Sequence, residues 1–371
     1  MTEFEIVATQ IENATTPHDL FGPVAEDHAR TMWLQMMKIV HPDKVDPKDQ
    51  ARANAVTAKL NVLWEQVKDS LATGIILPIR PAIFALATRR YCYNLTQVTR
   101  GTTCGIFSAV IQDKKGNVAH GIVKIPHSEA DNDLIEREIV ALTKIKDKLK
   151  TTSQEEQDNA RFVVPRIFEV IKHADGKKIL SFVYPPGADA GWYDLFAIKK
   201  QYPDGLTSRQ IAFIGNRLFE SLSFAHVCGI THNAITPNHV IIHAEKHYGQ
   251  VIDWTCSGNT LPYLAHKEFL SADVYVTHRC SPREDVYAAA KCLIFLAPKQ
   301  LKSNQKGGLL DYHYEDIEYI DLEEPLVEFL NRCIQPRRRY RPANAIVATQ
   351  EFREVQKQVF GERKFVELTM P

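Results

Sequence analysis

The chain has 371 residues and 44% hydrophobic content, enough for more than one core, since single cores stop growing at roughly 250–300 residues. Lysine plus arginine and aspartate plus glutamate both number 45, so no overall field draws the protein to nucleic acid or to an anionic membrane. Seven cysteines stand singly, with no Cys-x-x-Cys pair, which predicts free thiols in a reducing compartment.

The opening Met1-Thr2-Glu3-Phe4-Glu5 lacks a basic stretch followed by an apolar run, and no segment approaches roughly 18 uninterrupted apolar residues, so a soluble cytoplasmic protein is expected. Two amphipathic patterns come first: Ala25, Ala29, Met32, Trp33, Met36, Met37 and Val40, then Ala53, Val56, Leu60, Leu63, Val67 and Leu71. Steps of three and four predict two helices, and His41-Pro42-Asp43-Lys44 with Pro47 must interrupt them. Residues 1–76 therefore form a helical hairpin domain, and Pro78 and Pro81 open a connector over 77–90. From Tyr91 to Lys124 alternating residues predict three antiparallel strands, with a turn at Asp113-Lys-Lys-Gly-Asn117. A helix around Leu134–Ile145 follows, then the polar run Thr151–Asn159, expected to be a surface loop. Thr207 and Gln210 predict a capping box for a helix with Ile211, Ile214, Leu218, Leu222 and Ala225 on its apolar face. Further helices run from about Asp285 to the C-terminus, so residues 91–360 read as an α+β module.

A bare His-Pro-Asp string also fits a plain turn, with Pro42 stopping one helix and Asp43 capping the next. The arrangement of a Trp/Met-rich helix, HPDK and a second amphipathic helix resembles the J-domain of DnaJ-type co-chaperones. Asp19-Leu20-Phe21-Gly22 resembles the end of that family's short first helix. The resemblance implies that His41, Pro42 and Asp43 engage a DnaK-type chaperone ATPase, with Arg30 and Lys38 steering the encounter. Glu26 and Asp27 stand where lysines are usual, which weakens the basic face.

The second module resembles the two-lobed protein-kinase fold through an ordered series of anchors. Thr103-Cys-Gly105-Ile-Phe-Ser108 resembles the Gly-rich loop, Gly121-Ile-Val-Lys124 the third-strand lysine motif, and Arg137-Glu138 the helix whose glutamate pairs with that lysine. A Lys–Glu pair also serves as a purely structural pair, and Ile122 is bulkier than the usual alanine over adenine. Phe182-Val183-Tyr184-Pro185 stands at the hinge, where it reads an adenine edge or acts only as a connector. His232-Asn233-Ala234 through His239 aligns with the catalytic loop H-R-D-x-x-x-x-N, with Ala234 at the catalytic base and His239 at the metal-binding asparagine. Asp253-Trp254-Thr255 keeps only the aspartate of D-F-G. Glu284-Asp285-Val-Tyr resembles the helix whose aspartate braces that loop. Arg341 resembles the family's buried arginine, with Glu268 as its expected partner.

The resemblance implies a pseudokinase in which Gly105, Lys124, Glu138 and Asp253 hold ATP and Asp253 holds one magnesium ion, while His232, Asn233, Ala234 and His239 form a degraded loop. The function expected is a co-chaperone adaptor, the kinase-like domain binding a protein client or a nucleotide. The alternative is an atypical transferase moving a phosphoryl or nucleotidyl group with Lys124, Glu138 and Asp253. Arg337-Arg-Arg-Tyr-Arg341 is alternatively a nucleic-acid patch with an aromatic inside it, against which stand a net charge of zero and the one arginine that the kinase resemblance assigns to the scaffold, and His243 with His247 lacks a third metal ligand. No nucleic-acid or membrane partner is expected.

Overall fold

Among the described residues of the N-terminal segment the apolar spacing gives the helices α1 (Glu3–Asn13), α2 (Glu26–Val40) and α3 (Gln50–Thr73). The computed structural model describes residues 3–14, 17, 20, 26–73, 83–101, 103–262, 267–299, 320–362 and 364–370. The chain divides into two units, Met1–Phe84 and Ala85–Pro371.

In the first unit Trp33 stacks on Trp64 with centroids 5.8 Å apart, and Trp33 Nε1 donates to Asn61 Oδ1 at 3.2 Å. At the other end Thr57 Oγ1 donates to the Val40 carbonyl at 3.1 Å. Contacts that climb one helix descend the other, so α2 and α3 run antiparallel. Helix α1 closes the core with Ala8 and Ile11 against Val40, Val56, Leu60 and Leu63. Burial of a leucine such as Leu60 stabilises by about 1.5–3 kcal/mol. Arg52 clamps Glu12 through two bonds of 2.7 Å, and Lys59 donates to the Glu12 carbonyl, so α1 is tied to α3.

Pro42 and Pro47 each open a 3₁₀ turn, Pro42–Lys44 and Pro47–Asp49, because proline suits a first helical position and lacks the donor an interior position needs. Helix α3 starts only at Gln50, so Asp43 does not cap it; Asp46 caps the intervening turn by accepting from the Lys48 N–H at 3.3 Å. Of Asp19-Leu20-Phe21-Gly22 only the buried Leu20 is described, and Leu77 through Pro81 lie outside the described residues. The expected connector 77–90 contains a strand, β1 (Ile83–Ala87), because the apolar run Ile-Phe-Ala-Leu-Ala finds a neighbour in the sheet.

The second unit mixes helix and sheet. Strands β2 (Tyr91–Arg100), β3 (Cys104–Asp113), β4 (Val118–Pro126), β5 (Ile167–Lys172) and β6 (Lys178–Val183) join β1 in a curled antiparallel sheet of order β1-β2-β3-β4-β6-β5. The Asp113 carboxylate accepts from Lys115 N–H, Asn117 N–H and the Asn117 side chain, which fixes the β3–β4 turn around the left-handed Gly116. Gly121 is required by close approach: a Cβ there would lie 1.9 Å from the Phe182 carbonyl oxygen.

Helix α4 (Asn132–Leu149) lays Ile135, Glu138, Leu142 and Ile145 along one inward stripe. The polar run after it is not a loop throughout: Gln154–Ala160 forms α5, because Ser153 and Glu156 make a reciprocal capping box that supplies what a buried face does not. A three-stranded sheet, β7 (Trp192–Asp194), β8 (Val240–His243) and β9 (Gly249–Val251), lies among α6 (Leu195–Gln201), α7 (Ser208–Val227), α8 (Ala272–Thr277), α9 (Pro282–Leu296), α10 (Glu324–Cys333) and α11 (Ala345–Phe360). Thr207 and Gln210 cap α7 as expected, and Ile211, Ile214, Leu218, Leu222 and Ala225 enter the largest core together with α9 to α11. No described helix is long and apolar enough to cross a membrane.

Candidate functional site

A cleft of about 760 Å³ is lined on one side by the sheet and on the other by the segments before β8 and after β9. Lys124 comes from β4 and Glu138 from the inner face of α4; the two meet at 2.6 Å, both almost fully buried. Asp253 follows β9 and receives Lys124 Nζ on Oδ1 at 3.0 Å. Thr255 Oγ1 donates to the same oxygen at 2.7 Å, and the Trp254 N–H donates to Glu138 Oε1 at 3.1 Å. Lys124 and Glu138, 14 positions apart, thus form one charged cluster with Asp253, which lies 129 positions beyond Lys124.

Burial opposes charge on Lys124, but the adjoining Asp253 and Glu138 outweigh it and hold the ammonium well above its usual range. Burial likewise opposes charge on Asp253, yet Lys124, His239 and the Thr255 hydroxyl keep its carboxyl well below the usual carboxylate range. Burial raises the Glu138 carboxyl, and Lys124 and the Trp254 N–H offset part of that rise.

The loop before β8 is held from behind. Its His232 and Asn233 backbone N–H groups donate to Asp285 at 2.7 and 2.8 Å, and Asn233 Nδ2 donates to the carbonyls of Cys256 and Gly258. These bonds hold Asn233 in a left-handed conformation of φ 68°, which non-glycine residues rarely adopt, and Asp253, on the same side of the cleft, is also left-handed at φ 65°. Asn233 Oδ1 is buried with no protein partner among the described residues, leaving an acceptor for water or a ligand. His232 Nδ1 accepts from the Ala234 N–H, so its Nε2–H donates to the Ile252 carbonyl at 3.0 Å. Burial pushes this imidazole down to about 4, and it stands edge-on to the buried Trp254.

Ala234 presents only a methyl group to the cleft, and its carbonyl is taken by His239 Nδ1 at 2.7 Å. His239 Nε2 faces Asp253 Oδ2 at 3.3 Å. Asn238 Oδ1 accepts from Thr236 Oγ1. Magnesium takes hard oxygen ligands in a near-octahedral array. Here Asp253 Oδ1 is engaged twice and Oδ2 is opposed by an imidazole nitrogen, so the residues present do not fit that ion. Among the described residues no three or more His, Cys, Asp or Glu groups converge as a metal site.

Gly105 does not line the cleft. It pairs with Ile125 inside β3 and shares the opposite face with Phe107, whose ring would lie 2.9 Å from an added Cβ. The β2–β3 turn falls one step earlier, and Gly101 and Thr103 border the cleft. Gly101-Thr-Thr between two β patterns was the signal for that turn. Ile122 lines the cleft beside Phe182 and Tyr184, and the Tyr184 N–H is bonded to the His120 carbonyl. Arg341 pairs with Glu284 at 2.7 Å, whereas Glu268 is exposed. Arg338 also pairs with Glu284, at 2.8 Å, so two of the clustered arginines serve the scaffold.

In the first unit His41, Pro42 and Asp43 form the tip between α2 and α3. His41 Nδ1 accepts from the Asp43 N–H at 3.2 Å, and the two side chains are 41% and 82% exposed. Arg30 and Lys38 on α2 are exposed, as are Lys44 and Lys48 beyond the tip. No protein-family model and no curated protein matches this chain.

Proposed function

We propose that the protein is a co-chaperone adaptor, in which a J-domain-like first unit stimulates a DnaK-type chaperone ATPase and a two-lobed, kinase-like second unit binds a nucleotide or a protein partner. The observation that carries this reading is the His41-Pro42-Asp43 tip. An antiparallel hairpin stapled by Trp33 and Trp64 presents it with an outward-facing imidazole and carboxylate. His41 accepts a backbone N–H through Nδ1, which sets the tautomer and leaves Nε2–H to donate to a partner. Asp43 offers an acceptor beside it. Exposed basic groups on α2 favour approach to an acidic surface.

The second unit contributes a cleft rather than a phosphoryl-transfer site. Lys124 and Glu138 supply the pair that orients phosphates in kinases, while Ala234 cannot accept a proton. The cluster of Lys124, Glu138 and Asp253 also favours a second reading, an atypical transferase that moves a phosphoryl or nucleotidyl group. The steady-state ATPase of candidate DnaK-type chaperones, measured with and without the full chain, tests the adaptor. Turnover rises in its presence, and His41→Gln removes the rise. Equal stimulation by wild type and variant would sink the reading.

A further inference from the structure

We propose that the groove between α7 and α11 is a second ligand site, which takes a flat aromatic carboxylate. The groove encloses about 500 Å³ and shares no lining residue with the cleft. Volumes of about 300–1,000 Å³ are typical of small-molecule sites.

Its apolar surface is made of rings. His247, in the turn between β8 and β9, stacks on Phe365 of the C-terminal segment with centroids 4.4 Å apart and planes 16° apart, and it meets Phe213 of α7 at 4.6 Å. Phe365 is 79% exposed, so the stack leaves most of its ring uncovered. Against this planar wall a flat ring makes more contact than an alkyl chain of equal volume. The wall is also fixed in advance of binding. Leu368 is buried in the largest core, the Glu367 carbonyl accepts from Gln210 Nε2 at 3.0 Å, and the Thr369 N–H donates to the Tyr202 hydroxyl at 2.9 Å. On the opposite side Arg217 Nε donates to the His247 carbonyl at 2.8 Å, which holds that residue in its left-handed conformation of φ 56°.

The charge of the lining selects an anion. Arg209, Arg217, Arg353, Lys357 and Lys364 stand against three carboxylates. One of the three, Glu220, is already engaged, accepting from Arg217 Nη1 at 2.7 Å and from Arg353 Nη2 at 2.9 Å. The wall also carries an unmet polar group: His247 Nε2 is buried with no partner among the described residues. Burial and the adjoining Arg217 hold this imidazole below its ordinary value, so it stacks as a neutral ring. A ligand carboxylate accepting from Nε2–H beside Arg217 supplies the missing partner while its ring lies along the aromatic wall.

Calorimetric titration of the full chain with naphthoate tests the proposal, with naphthylmethanol as the ring without the charge and cyclohexane carboxylate as the charge without the aromatic ring. Naphthoate is expected to fill one saturable site, and each control to bind at least about tenfold more weakly. Phe365→Ala should weaken naphthoate by about tenfold. The melting temperature of the unliganded variant checks its fold. Phe365→Leu, which keeps apolar bulk and loses the flat face, should weaken binding as much and repeats the test if Phe365→Ala melts early. Binding that neither variant changes overturns the proposal, since the ligand then sits elsewhere in the chain. Equal affinity for either control overturns the assigned chemistry, and the absence of saturable naphthoate binding overturns the site itself. None of these outcomes touches the chaperone reading or the cleft.

Discussion

Asp285 holds His232 by its backbone: the carboxylate at the start of α9 accepts the His232 N–H at 2.7 Å, and its other oxygen accepts the Asn233 N–H at 2.8 Å. His226 completes the arrangement. Its Nδ1 accepts from the Ala345 N–H, so its Nε2–H donates to Asp285 at 3.0 Å. Three donors therefore converge on one buried anion. Asp285→Asn replaces an acceptor by an amide that must point two hydrogens at donors. The expected cost is about 2–4 kcal/mol, read as a lower urea midpoint by Trp fluorescence. An unchanged midpoint would show that the loop holds itself.

The same loop predicts a pH dependence. His232 is buried neutral, and its imidazole is pushed down to about 4 by burial. The unfolded chain therefore binds more protons than the folded one between the ordinary histidine value of about 6.5 and that lower value, so stability falls as pH falls through this window. Its share is roughly 3 kcal/mol, with smaller losses of the same sign from His243 and His247, which burial also lowers. Asp253, held below the usual carboxylate range, adds its loss only below about pH 4. Urea unfolding at pH 7 and pH 4.5 should differ less in His232→Gln than in wild type. Equal differences would contradict the assignment.

Much of this architecture was legible because the responsible signals are local. The Asp113–Asn117 turn and the Thr207 capping box each lie within a few residues, the two amphipathic runs repeat at steps of three and four, and the structure has a helix, turn or cap at each of them. Lys124, Glu138 and Asp253 were legible as a set, and they meet within 3.0 Å. What was missed depends on facing and partner choice. Gly105 was one residue out of phase for the cleft, and a one-residue shift in a strand reverses the face. Arg341 chose Glu284, next to Asp285 at the start of α9, over Glu268. The acidic pair was visible in the sequence, but its second role was not. The 151–159 segment held a capping box without an apolar stripe, so periodicity was silent there.

In the first unit, function and stability are expected to separate. Asp43 is exposed and outside every core contact, so Asp43→Asn should leave stability within about 0.5 kcal/mol while abolishing stimulation of a DnaK-type ATPase. Trp64 is nearly buried and stacked on Trp33, so Trp64→Ala should cost about 3–5 kcal/mol and lower the unfolding midpoint of the hairpin. Circular dichroism with chaperone turnover reads both. Loss of stimulation in Asp43→Asn with a matching loss of helix would assign the tip a structural role instead.

The last prediction is that the chain gives no phosphoryl transfer to protein substrates. The attacking hydroxyl needs an acceptor within hydrogen-bond reach, and Ala234 presents a methyl group at that place in the loop. Losing a positioned base removes roughly 10²–10⁴-fold in rate, or about 3–5 kcal/mol of barrier. The neighbouring groups do not replace it. His232 is committed at both ring nitrogens, Asn233 spends its Nδ2 on two carbonyls and keeps only an amide oxygen, too weak a base to take the proton, and His239 is held between the Ala234 carbonyl and Asp253. Kinases also neutralise developing charge with metal ions held by oxygen ligands, and here Asp253 Oδ1 is engaged by Lys124 and Thr255 while an imidazole, His239, stands where the loop would carry an oxygen ligand. Incubation with γ-labelled ATP and generic protein substrates should therefore give no label above a Lys124→Ala, Asp253→Ala control. Transfer that depends on both residues would overturn this prediction, whereas label carried only from the α-phosphate would point to nucleotidyl transfer in the same cleft.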